Sequence, residues 1–187
     1  MTTILTKQTA LILIDIQKGF DQIDYWGDHR NNPEAEVNAA RLLALWREND
    51  FSIFHIKHCS LNPNSILVEG HPGNDFKEIT APIAGETIIK KNVNSAFINT
   101  DLKRQLDDLQ VNKIVLVGLT TDHCISTTAR MAGNYGYEVF VVRDATATFD
   151  RKGSDDKHFS AQTMHDTALA SLNGEFATIL NTADLAL

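Results

Sequence analysis

Hydrophobic residues along this chain fall into two alternating patterns. Six short runs are almost continuously apolar and rich in β-branched residues: Thr9–Ile16, Phe51–His58, Glu86–Lys90, Asn112–Gly118, Tyr137–Asp144 and Phe176–Leu180. Runs that do not alternate with polar residues are typical of parallel strands covered on both faces. Between them, apolar positions return every three or four residues. Ala39, Leu42, Leu43 and Trp46 make one stripe, and Ile125, Thr128, Ala129 and Ala132 another. Leu102, Leu106 and Leu109 make a third, with Thr100 as a candidate N-cap. The last, Ala161, Met164, His165, Ala168 and Leu172, follows Ser160 and stops before Gly174, a suitable cap at each end. Strand and helix in turn predict a three-layer α/β domain whose six-stranded sheet is mainly parallel, with right-handed crossovers.

Composition narrows the function classes more than the fold. At 187 residues with 43% hydrophobic content, the chain suits one domain, residues 1–187. Its net charge is -7 and its lysines and arginines are not clustered, which speaks against nucleic acid or an anionic membrane as partner. No apolar run approaches the roughly 18 residues of a membrane span. The start, "MTTILTKQTALILIDIQ", has neither a basic leader region nor a small-residue cleavage site. Two cysteines do not suggest a disulfide framework, so a cytoplasmic protein is expected.

In parallel α/β sheets ligands sit beyond the carboxyl ends of the strands. Those ends offer Asp15, the His58–Ser60 stretch, Lys91, the Gly118–Cys124 turn and Asp144. Cys124 belongs in the first turn of a helix, where the dipole and free N–H groups favour a thiolate. Asp122, and Asp15 if close, oppose that, so a nucleophilic Cys124 needs a nearby cation. Position alone leaves two readings open, a nucleophile or a small buried hydrophobe. Asp15 can cap a turn or move protons. Lys90 and Lys91 can be a solvated strand end, or one of them can point into the cleft. His55, His58 and His71 raise the question of a metal, but His55 and His58 lie three apart in one strand and face opposite sides. His123 diverges from Cys124 by about 100° on a helix and is a poor base for it. Cys59 is read as incidental. The stretch from Cys59 to Pro82 holds three of the four prolines and is read as a lid or pocket wall.

Taken together, the ordered motifs "LIDIQKGF", "IKKNVNSAF" and "GLTTDHCISTTAR" resemble those of the isochorismatase-like cysteine hydrolases, over nearly the whole chain. The resemblance implies a doubly wound, Rossmann-like αβα sandwich and a catalytic triad of Asp15, Lys91 and Cys124. Lys91 is the matching lysine because it stands four residues before the serine of "SAF". The resemblance also implies a cis peptide at Leu119–Thr120, an oxyanion hole made by the backbone N–H groups of Thr120 and Cys124, and a homo-oligomer, dimer or tetramer. Phe20, Trp26 and Phe97 follow motifs that line the family's pocket.

Two departures narrow the chemistry. Nicotinamidases of this family use an Asp-x-His pair and a later His, positions taken here by His58, Ser60 and Ile66, so no metal or other cofactor is expected. Isochorismatases proper cleave a vinyl ether and lack the cysteine. The expected activity is therefore a metal-independent cysteine amidohydrolase acting on a small amide, carbamoyl or ureido C–N bond. A zinc-dependent nicotinamidase-type amidase and a catalytically idle binding or scaffold member are the alternatives.

Overall fold

The computed structural model describes residues 4–185. In chain order the elements are β1 (Thr9–Ile14), α1 (Ile23–Trp26), α2 (Ala35–Glu48), β2 (Ile53–His58), β3 (Thr87–Lys91), α3 (Leu102–Asp108), β4 (Lys113–Leu119), α4 (Ser126–Asn134), β5 (Glu138–Ala147), β6 (Arg151–Lys152), β7 (His158–Phe159), α5 (Ala161–Leu172) and β8 (Thr178–Leu180). Six strands form one sheet in the order β3-β2-β1-β4-β5-β8, every neighbouring pair parallel. β6 and β7 form a separate antiparallel pair. The sheet is the doubly wound α/β arrangement, and its order reverses between β1 and β4, where a crevice opens at the carboxyl ends.

The continuous apolar runs are explained by a core on each face. Ile12, Ile14, Ile114 and Leu116 pack with Leu102, Leu106, Ala129, Ala132, Leu169 and Leu172 from α3, α4 and α5, and with Ile125 just before α4. The alternate strand residues, Leu11, Leu13, Val115 and Val117, pack with Ala39, Leu42, Leu43 and Trp46 of α2. Since strand side chains alternate and both faces are covered, neither set can be polar. Ser160 caps α5 by accepting from Thr163 N, and Gly174 takes φ +83° just past its end. The third stripe is shorter than its sequence pattern. Asp101 rather than Thr100 occupies the N-cap of α3, and Leu109 ends the helix exposed. Among the described residues no helix is long and apolar enough to cross a membrane.

One glycine sets the fit of the two central strands. Gly118 has φ +117°, in a stretch where the β4–β5 register shifts. A Cβ there would lie 2.0 Å from Ile14 O on β1. Gly118→Ala is therefore expected to cost on the order of 3 kcal/mol or more in urea unfolding. Gly174→Ala, whose new Cβ meets nothing within 4 Å, should cost about 1 kcal/mol. Equal losses for the two would contradict this account.

Candidate active site

Three strand ends converge in the crevice. Asp15 follows β1 directly and takes φ +51°, a left-handed conformation that Asp tolerates better than most residues. Lys91 is the last residue of β3, which reaches the site from the sheet edge, paired in register with His58 of β2. Strand alternation separates the two lysines: Lys91 is 3% exposed, while Lys90 points outward and pairs with Glu69. Cys124 sits in a single wide turn of π type, residues Thr121–Ile125, that opens α4. The Leu119–Thr120 peptide just before it is cis.

Lys91 joins these groups. Its Nζ donates to Asp15 Oδ2 at 2.6 Å and to Cys124 Sγ at 3.3 Å, and also lies 3.1 Å from His58 Nδ1 and 3.2 Å from Val93 O. Asp15 is fully buried and Cys124 is 8% exposed. Asp15 Oδ1 is buried without a hydrogen-bond partner. Burial works against the charge on Lys91, but Asp15 and then Cys124 more than offset it, so its pKa lies above that of an ordinary lysine. Burial pushes the Cys124 thiol up, Asp15 pushes the same way, and Lys91 offsets only part of this. Desolvation and the neighbouring carboxylate thus favour the thiol form, against the pull of the turn's dipole. Asp122 is not part of that opposition: its carboxylate is bonded to Thr148 Oγ1 and to Arg151 Nε at 2.9 Å. Those bonds pin the turn on one side, and Thr121 Oγ1 meets His165 Nδ1 of α5 at 2.9 Å on another. Burial lowers the pKa of His165 to about 4.

A cavity of ≈ 430 Å³ opens over these groups. Asp15, Thr120 and Cys124 line it, and so do Phe20 and Trp26, stacked 4.5 Å apart. Phe97 does not. Its ring packs against Tyr135 and Tyr137, within the core layer of α3 and α4. Ser60, Asn62, Ser65 and Leu67 make the segment after β2 a wall of the cavity. Asp144 is elsewhere: β5 runs on to Ala147, and the Asp144 carboxylate accepts from Thr182 N and Oγ1. His123 lines the cavity and lies beside Asp122 at 3.5 Å. Sequence reasoning did not single out Gln17, Asn74, Asn94, Tyr25 or Arg151. Gln17 and Asn74 are buried polar side chains that hold the end of β2, and the "Q" of "LIDIQ" was their one sequence signal.

The ligand atoms of Asp15, His58 and Cys124 lie within 4.8 Å of one another, a spacing a small cation could bridge. The Lys91 ammonium is already at hydrogen-bond distance from all three, so these residues are arranged around a fixed organic cation and fit a metal poorly. His55 is bonded to Glu86, and His71 accepts from Gly73 N.

The family model described as "Isochorismatase domain" matches residues 9–184. The chain belongs to the isochorismatase family. It is 43% identical to the uncharacterized isochorismatase family protein YrdC of Bacillus subtilis, over 97% of this chain and 96% of that one. It is 30% identical to maleamate amidohydrolase of Pseudomonas putida, over 95% and 85% of the two chains. An isochorismatase-family structure from Chromobacterium violaceum superposes with a TM-score of 0.92 at 38% identity, over 96% of this chain and 92% of that one. This isochorismatase-family hydrolase keeps the cysteine, the lysine and the aspartate close together at the carboxyl ends of its strands.

Two outcomes follow from the charges. Asp15→Asn removes the carboxylate that holds the Cys124 thiol up, so thiolate absorbance near 240 nm should appear at lower pH than in the native protein; Lys91→Met should move it higher. A titration unchanged by either variant would contradict the coupling. The second concerns His165. Its pKa is about 4 in the fold against about 6.5 for an ordinary histidine, so between these the unfolded chain binds the proton and the folded one does not. Folding stability should therefore fall as pH drops from 6.5 towards 4. Urea unfolding of His165→Asn should lack that part of the pH dependence, and an identical profile would count against it.

Proposed function

We propose that this chain is a metal-independent cysteine amidohydrolase that cleaves the C–N bond of a small amide, carbamoyl or ureido compound through a thioester on Cys124. The observation that carries the reading is Lys91 bridging Asp15 and Cys124 in a buried site. Reactivity then waits for substrate, because the thiol gives up its proton only as the sulfur–carbon bond forms. Asp15 takes that proton as Sγ attacks the carbonyl carbon. The negative charge moves to the carbonyl oxygen, where the backbone N–H groups of Thr120 and Cys124 receive it, each such donor contributing about 3 kcal/mol. The C–N bond breaks as Asp15 returns the proton to the leaving nitrogen. Water then gives a proton to Asp15 and attacks the thioester, and Cys124 leaves as the thiol by recovering that proton. Lys91 stays protonated throughout. It keeps the Asp15 carboxylate charged in a dry site and stabilises the negative charge that develops on sulfur.

Amide hydrolysis asks for a barrier reduction of well over about 10 kcal/mol. The covalent route, the oxyanion donors and positioning by the Phe20 and Trp26 walls share it. Relatives named maleamate amidohydrolase and Nicotinamidase 3, the latter from Arabidopsis thaliana and 25% identical, support a C–N bond as the target.

The test is ammonia release from a panel of small amides and ureides. Cys124→Ala and Asp15→Asn should each lower kcat by about 1,000-fold or more, while a chelator leaves the native rate unchanged. Full activity in Cys124→Ala would sink the reading, and chelator-sensitive hydrolysis would shift it to a metal-dependent amidase.

A further inference from the structure

His58 lies in the cavity wall but takes no part in the proton path above. Its backbone is held on both polar atoms. Gln17 Oε1 accepts from His58 N at 2.8 Å, while Gln17 Nε2 and Asn74 Nδ2 donate to His58 O at 3.0 and 2.8 Å. Gln17 and Asn74 are themselves buried. The ring is therefore placed by a rigid frame, with Nδ1 3.1 Å from Lys91 Nζ.

That contact fixes the tautomer. A lysine ammonium has three donors, shared here among four neighbours, and no acceptor, so a proton on Nδ1 would face a positive charge with nothing to bond to, and Nδ1 presents its lone pair instead. A neutral imidazole that accepts at Nδ1 carries its proton on Nε2. A second proton would have to sit on Nδ1, facing the ammonium; burial and the Lys91 charge both lower the pKa of His58, with Asp15 offsetting part of it. Among the described residues Nε2 makes no hydrogen bond, and it is not among the buried atoms left without a partner, so it keeps some exposure on a residue that lines the cavity.

We infer that His58 is a fixed hydrogen-bond donor, through Nε2–H, that recognises an acceptor atom on the acyl part of an uncharged substrate. The charges around the cavity support the second half. Asp15 is paired with Lys91, and Arg151 is bonded to Asp122 through Nε and Nη2. Arg151 Nη1 is taken by the carbonyls of Trp26 and Asp150. His123, the other titratable group of the lining apart from His58 itself and Cys124, lies beside Asp122, so a carboxylate or ammonium on the substrate would find no unpaired opposite charge among the described lining residues. An acceptor facing a neutral N–H beside the aromatic wall is what the site offers. The identity of the substrate rests on the amidohydrolase reading; the tautomer does not.

Two measurements test it. In the native protein, ¹⁵N–¹H correlation spectra of the histidine rings at pH 7 should show His58 as the Nε2–H tautomer with an accepting Nδ1. An Nδ1–H tautomer or an imidazolium overturns the inference. The second uses the Cys124→Ala protein, so that binding is read without turnover. The oxane-2-, oxane-3- and oxane-4-carboxamides are compared with cyclohexanecarboxamide, which lacks the ring oxygen. At least one oxane isomer should bind about tenfold more tightly than the carbocycle, and a further His58→Phe substitution should erase that preference. A preference that survives His58→Phe, or no preference with the histidine present, overturns it. Loss of amide hydrolysis in the native enzyme would count against the proposed function while leaving the ring's tautomer to be decided by the spectra.

Discussion

The ion pair between Asp15 and Lys91 is the constraint on which the rest of the site depends. Both side chains are almost completely out of solvent, and their atoms meet at 2.6 Å. Burying two charges is expensive, and their attraction repays it only when further hydrogen bonds complete the geometry; removing one partner from such a pair typically costs about 3–5 kcal/mol. Lys91 meets that condition with contacts to Cys124, His58 and Val93 O, but Asp15 does not: its second oxygen is left unbonded. A buried carboxylate oxygen without a partner, beside a thiol, is poor design for stability alone. It is the arrangement a proton acceptor needs.

The ion pair also accounts for the positions of the strands. Asp15 and Cys124 come from adjacent central strands, yet their cation arrives from β3, at the sheet edge, across the intervening β2. The same lysine sets the charge on the sulfur and the tautomer of His58. Beside this centre the one other buried acid of the turn is paired off. Asp122 is committed to Thr148 and Arg151, so the turn carrying Cys124 is anchored without adding an open negative charge to the pocket.

Much of this was legible in the sequence because two periodicities carry it. Continuous apolar runs gave the parallel strands, and the rule that ligands gather at their carboxyl ends offered Asp15, Lys91 and Cys124 among other strand-end residues; the resemblance to the isochorismatase-like hydrolases joined those three and chose Lys91 over Lys90. What was not legible depends on distances between residues far apart in the chain. Whether Cys124 rests as a thiol or a thiolate is set by burial and by Asp15, which helix position cannot reveal. Phe97 followed a pocket motif yet turns its ring to Tyr135 and Tyr137, because a residue's neighbours in sequence do not fix the face it presents. Asp144 had the look of a strand end until β5 proved to continue three residues further. Gln17 and Asn74 escaped notice since a buried amide is recognisable only from the backbone groups it satisfies.

The covalent route through Cys124 is most directly tested by partitioning. Two substrates that share an acyl group but differ in leaving group, an amide and an ester, are hydrolysed in the presence of hydroxylamine, and hydroxamate and free acid are measured. A common thioester makes the ratio of the two products the same for both substrates. A ratio that changes with the leaving group, or hydroxamate formation undiminished in Cys124→Ala, would contradict the account.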